Sequence, residues 1–144
     1  MSDPVFEGVY GSFSITAADR REVGGYRLAL LTAAVAQLAL LAQWHWQGSS
    51  LLWPWWLLMA IATGLALRWI HIYLRPLHQA LQLFWLLGCL GSALLALRVG
   101  PTQMGTALAE QPLWVLAIGP LYAALAGIGF KEFFCFRRAE AIGV

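Results

Sequence analysis

Four long apolar runs, at about 26–46, 51–74, 77–99 and 113–130, alternate with short polar interruptions along the 144-residue chain. No Asp, Glu, Lys or Arg falls between Arg27 and Arg68. A helix of about 20 residues rises ~1.5 Å per residue and covers the ~30 Å hydrocarbon layer of a bilayer. The pattern therefore predicts four transmembrane helices. The link Gln47, Gly48, Ser49, Ser50 is short, which makes the first two antiparallel neighbours. Pro54 falls in the first turn of the second helix, where its missing N–H costs little. The polar knot at 68–78 (RWIHIYLRPLH) reads as a helix end, a tight turn and a new helix start. Arg75 precedes proline and closes the second helix, and Pro76 opens the third. The polar link 100–112 has room for one helical turn. The fourth run continues as an interfacial helix to Phe136, among Lys131, Glu132, Arg137 and Arg138.

The first 25 residues are different. The stretch 5–16 (VFEGVYGSFSIT) is β-branched and aromatic, punctuated by Gly8 and Gly11, and predicts a small hairpin. Thr16 and Asp19 have capping-box spacing, so a helix starts near Ala17, loosened at Gly24 and Gly25 before the membrane. Asp3, Glu7, Asp19, Arg20, Arg21 and Glu22 precede any apolar run, unlike a secretory signal. The expected fold is an all-α membrane protein, an antiparallel bundle of four transmembrane helices with short hairpin turns. Its divisions are a polar segment 1–25, a membrane domain 26–136 and a basic tail 137–144.

Composition agrees. Hydrophobic residues make up 60% and charged residues 11%, against roughly 25% charged in soluble domains. A net charge of +2 gives no reason to expect nucleic acid. Cys89 and Cys135 sit at different depths and are expected as free thiols. With four spans, Arg20, Arg21, Arg27, Arg68, Arg75, Lys131, Arg137 and Arg138 share one side and Arg98 stands alone on the other. The positive-inside rule then puts both termini in the cytoplasm, or the stroma of a plastid. Trp44, Trp46, Trp53, Trp55, Trp56 and Trp114 form an aromatic belt at the opposite face.

Small residues allow helices to approach closely in lipid. Gly119, Ala123 and Gly127 form such a stripe on the fourth span, and Gly88 with Ser92, Ala60 with Gly64, and Ala29 with Ala33 offer shorter ones. Pro120 should kink the fourth span or free the carbonyl of Leu116, and Thr32, Gln37 or Ser92 could take up that loose group.

Candidate chemistry gathers at the polar knot. Arg68, His71 and Arg75 fall on one helical face at i, i+3, i+7, with Arg68 about two turns inside the boundary. Arg68 either snorkels to the headgroups or pairs with Glu132 or Glu22. His71 and His78, with Glu132 and Cys135 on the same side, are weak candidates for a transition metal, and the histidines for haem or chlorophyll. His45, on the far side, is a belt residue. Gln37 lies near the centre of the first span as a buried or interfacial polar group. No nucleophile elbow, zinc-protease motif, Walker loop or dinucleotide fingerprint is present. No carboxylate lies within any span, which argues against a proton-coupled transporter.

Three segments carry a resemblance: 10–20 (YGSFSITAADR), 70–78 (IHIYLRPLH) and 130–136 (FKEFFCF). They resemble an uncharacterised integral-membrane family, a domain of unknown function found chiefly in cyanobacteria and plastids. The resemblance implies a multi-pass membrane protein of a photosynthetic organism, in the inner, plasma or thylakoid membrane. It implies no activity and no catalytic residues. Its members are longer after the third segment, so it also implies a fragment or a short form.

The leading functional expectation is a non-enzymatic membrane protein. It would pack with or help assemble a larger, photosynthetic complex, or a homo-oligomer. A metal-, haem- or pigment-binding redox module using His71 and His78 is the alternative, and a small oligomeric transporter a third.

Overall fold

The computed structural model describes residues 5–8, 11–70, 72 and 75–136. Strands β1 (Val5–Gly8) and β2 (Gly11–Ser14) pair antiparallel, with Phe6 opposite Phe13, as the hairpin pattern predicts. Helix α1 (Ala17–Gln47) follows directly. The capping box forms in full. The Thr16 hydroxyl oxygen accepts from the Asp19 N–H at 3.2 Å, and the Asp19 carboxylate accepts from the Thr16 N–H at 2.8 Å. These bonds satisfy N–H groups that a helix start leaves without partners.

The expected loosening at Gly24 and Gly25 does not occur, and α1 is one unbroken helix of 31 residues. Gly25 serves packing instead. The Trp69 ring lies 3.1 Å from where a Cβ on Gly25 would stand, so a side chain there would crowd the indole. The helix stops at Gly48, whose φ of +87° suits glycine and few other residues.

Helix α2 (Trp53–Trp69) begins with Pro54 in its first turn, and α3 (Arg75–Val99) with Pro76 in its first turn. The expected continuation of the second helix to residue 74 is wrong. Ile70 is extended, at φ −70° and ψ 131°, and its N–H closes the last bond of α2 on the Ala66 carbonyl at 2.9 Å. A helix running to 74 would leave no residues for the chain to reverse before Pro76 opens α3.

A 3-10 turn (Pro101–Gln103) and helix α4 (Met104–Glu110) fill the link after α3, more structure than the one turn expected. Met104 and Leu108 are buried in the core. Helix α5 (Trp114–Phe136) runs through the expected interfacial stretch without a break. Among the described residues three helices are long and apolar enough, by length and composition, to cross a membrane: Ala17–Gln47, Arg75–Val99 and Trp114–Lys131.

The helices pack as two close pairs, α1 with α2 and α3 with α5. The head of α1 meets the tail of α2 at Gly25 and Trp69, and its tail meets the head of α2 at Gln43 and Trp55. In the second pair the backbones nearly touch. A Cβ on Gly88 would run into Leu121, and one on Gly91 into the Ala117 carbonyl. Gly127 meets Leu81 further along. The two pairs share a core. Ala33, Ala36, Leu40, Trp56, Met59, Leu95 and Leu121 fill one half of its length, and Tyr26, Ala29, Ala66, Leu67, Leu81 and Ile128 the other.

The Gly119, Ala123, Gly127 stripe is therefore corrected. Only Gly127 meets a neighbour. Nothing lies within 4 Å of a Cβ on Gly119, and Ala123 is exposed. Leu121, Ala124, Leu125 and Ile128 take the contact face, because α5 turns its bulkier side chains toward the glycines of α3. Gly88 with Ser92, Gly64 and the pair Ala29 with Ala33 do line contacts, as their spacing suggested. Trp56 leaves the expected belt for the core and is only 4% exposed.

Gly91→Ala should destabilise the protein by about 1–3 kcal/mol, since the added methyl meets a backbone carbonyl that cannot rotate away. Gly119→Ala should be neutral or stabilising by up to about 1 kcal/mol, as the site is open and alanine favours helix. Thermal melts in detergent measure both.

Candidate functional site

The polar knot of the sequence is split by the end of α2. Arg68 lies in the last turn of α2 and Arg75 in the first turn of α3, so they do not share a helical face. The reversal before Pro76 breaks the spacing on which that alignment depended. Nor is Arg68 two turns inside the boundary. It is exposed, one residue before the helix ends. His71 lies outside the described residues. Glu132 and Cys135 are on the last turns of α5, with side chains outside the described set.

His78 has a definite role. Its Nε2 is 2.8 Å from the Leu67 carbonyl oxygen, one of the acceptors that the end of α2 leaves without a helical donor. A carbonyl only accepts, so Nε2 carries the hydrogen and donates it. The Gln82 amide lies 3.3 Å from the same nitrogen. His78 thus ties α3 to the end of α2, and only Nδ1 is left to face any ligand. Among the described residues no three His, Cys, Asp or Glu side chains group as a metal site would require.

At mid-depth two indoles rivet α2 to α3. The Trp56 indole donates to the Ser92 hydroxyl at 3.0 Å, and Ser92 donates to the Gly88 carbonyl at 2.7 Å. The Trp85 indole donates to the Ala60 carbonyl at 2.8 Å and lies over Gly64, 2.6 Å from where a Cβ would stand. Trp56 also meets the Tyr122 ring edge-on, at 5.9 Å between centroids. Buried indoles seek such partners. Thr32 donates to the Leu28 carbonyl and Thr63 to the Met59 carbonyl. The hydroxyl hydrogens of Thr32 and Ser92 are thus spent within their own helices and do not serve the Leu116 carbonyl freed by Pro120. Among the described residues the buried Gln37 amide oxygen has no hydrogen-bond partner.

At the far end Gln43 clamps the link between α1 and α2. Its amide nitrogen donates to the carbonyls of Leu51 at 3.0 Å and Ser50 at 3.3 Å, and its oxygen accepts from the Trp55 indole at 2.7 Å. Leu51 has φ +58°, a left-handed conformation that a bulky residue rarely adopts. Ser49 and Thr106 hydrogen-bond at 3.0 Å, and Gly105 lies tight against the Ser49 carbonyl, seating α4 on the same link. His45 is exposed beside Trp46, edge-on at 5.7 Å. The spacing of Gln43 and Trp85 along the chain carried no signal of these bonds. Their acceptors belong to other elements.

These features define a class: an integral membrane protein, all-α apart from its hairpin, whose described interior polar groups mostly join helix to helix. A family model described as "Uncharacterized integral membrane protein (DUF2301)" matches residues 65–144, more than half the chain, and the protein belongs to that family. The match takes in the segments 70–78 and 130–136 that carried the resemblance, and not 10–20. No curated protein and no solved structure matches the chain.

Gln43→Leu should cost about 2 kcal/mol, because two carbonyls lose a donor and the Trp55 indole an acceptor. Leu51→Gly should instead add about 1 kcal/mol by relieving the left-handed backbone. Melting temperatures of the purified variants read both.

Proposed function

We propose that the protein is a non-enzymatic, four-span membrane protein that packs with a larger membrane complex through the open face of α5. The carrying observation is that face. Gly119 has open space around it, and Ala123, Val115 and Leu116 are exposed. Pro120 also deprives the Leu116 carbonyl of its helical donor. An unpaired carbonyl in hydrocarbon is costly, and a neighbouring helix could supply both the donor and the close contact.

The contacts of α2 support four antiparallel spans. Its 17 residues rise roughly 25 Å, and apolar Leu51, Leu52 and Ile70 extend them. It follows α1 from Gln43 to Gly25, so the two cover the same depth. The cation asymmetry supports both termini on the cytoplasmic or stromal side. The resemblance noted above makes a photosynthetic membrane the first place to look.

Reporter tags placed after Met1, at Ser49, near Arg75 and after Val144 test the topology. The Ser49 tag should face one compartment and the other three the opposite one. Ser49 and Arg75 tags on one side would overturn it. For the assembly role, the protein from its own membrane should migrate on native gels above its monomer mass. Gly119→Leu should abolish that migration without lowering the melting temperature, since no neighbour is displaced. Wild-type protein that always migrates alone refutes the role.

A further inference from the structure

The arginines at the base of the bundle are arranged in a way the assembly reading does not use. Arg27, Arg68 and Arg75 come from three helices and are all exposed. Among the described residues none of them is bonded to a carboxylate or any other protein acceptor. Their depths follow from contacts already described. Gly25 lies under Trp69, so Arg27, two residues on, and Arg68, one residue back, are level to within roughly 2 Å. His78 is held to the Leu67 carbonyl, and Arg75 lies three residues before it, roughly 4–5 Å further out. Arg20 and Arg21, also exposed, continue the series outward along α1.

Each inner arginine stands beside a residue of the basal core. Arg27 follows the buried Tyr26, and Arg68 the buried Leu67, yet both arginines are exposed, about 100° round the helix from the buried neighbour. Their outward neighbours are apolar: Leu28 and Leu31 on α1, and Leu65 on α2, are exposed. A guanidinium there has hydrocarbon below it and headgroups beside it. Leaving it unpaired is expensive. The acceptor within reach is a lipid phosphate, which the planar guanidinium can grip with two hydrogen bonds.

We propose that Arg27, Arg68 and Arg75 form a collar that selects anionic phospholipids around the base of the bundle. Their phosphates supply the acceptors that the protein withholds. A net-neutral lipid offers the same phosphate, but its own cationic group competes for it. The collar therefore favours a headgroup whose negative charge is uncompensated. Arg98, exposed at the other end, has no such companions and serves as an internal control.

The full chain, purified in detergent, is titrated with phosphatidylglycerol or phosphatidylcholine and melted. Phosphatidylglycerol should raise the melting temperature by about 4–8 °C beyond phosphatidylcholine. The triple variant Arg27→Gln, Arg68→Gln, Arg75→Gln should lose at least half of that gain, and Arg98→Gln should keep it. Inorganic phosphate and glycerol phosphate at equal concentration should give no gain, which separates a membrane lipid from a soluble anion. Should the triple variant not accumulate, Arg68→Gln alone is compared by native mass spectrometry, where it should retain less phosphatidylglycerol than wild type. Equal gains from the two lipids, a full gain in the triple variant, an equal gain from inorganic phosphate, or unchanged retention by Arg68→Gln would each overturn the collar. None of these results depends on whether the protein joins a complex.

Discussion

The structure depends on how closely α3 and α5 approach. Lipid gives two helices no hydrophobic reason to meet, so contact must come from van der Waals packing and hydrogen bonds. Gly88 and Gly91 supply it by letting the backbone around Ala117 and Leu121 sit where side chains would otherwise stand. Almost any side chain at those glycines pushes the pair apart. The side chains that fill the shared core, Leu121 and Leu95 among them, are placed by that approach.

A second constraint is the scarcity of polar groups in the interior. The few that exist are mostly used for fastening. Ser92 accepts a hydrogen bond from the Trp56 indole and donates its own to the Gly88 carbonyl, so one hydroxyl joins α2 to α3 beside the close approach of α3 to α5. Trp85 fastens α3 to α2 at Ala60, and His78 fastens it again at Leu67. At the base, Lys131 stands 5.7 Å over the Tyr26 ring and brings α5 to α1. An interior organised this way holds helices together. Thr32 and Thr63 bond only within their own helices, and among the described residues the buried Gln37 amide oxygen has no donor.

Membership of the family rests on the half of the chain that contains this core pair. The matched residues begin in α2 and include all of α3, α4 and α5. Helix α1, the capping box and the hairpin lie before the match. They add a continuous helix that carries a small folded element beyond the apolar stretch. The open face of α5 and the exposed arginines at the base both belong to the outer surface, where a membrane protein meets its lipids and its neighbours.

Much was legible in the sequence. Apolar run length predicted the membrane, because the thickness of a bilayer sets how many residues a helix needs. The capping box at Thr16 and Asp19 was readable because its partners lie three residues apart, and the hairpin because strand pairing there is local. Small residues on α1, α2 and α3 pointed correctly to contact faces. Tertiary structure alone decided the rest. The stripe on α5 had the right spacing but faced outward, since spacing says that residues share a face and not which face is covered. Trp56 looked like a belt residue and became a core one, because its acceptor, Ser92, is 36 residues away. His78, a weak ligand candidate by sequence, bonds the Leu67 carbonyl at the end of α2, a partner 11 residues away that its spacing did not announce. Local order is written in neighbouring residues, while the fate of a polar side chain in a membrane depends on which distant partner the packing brings to it.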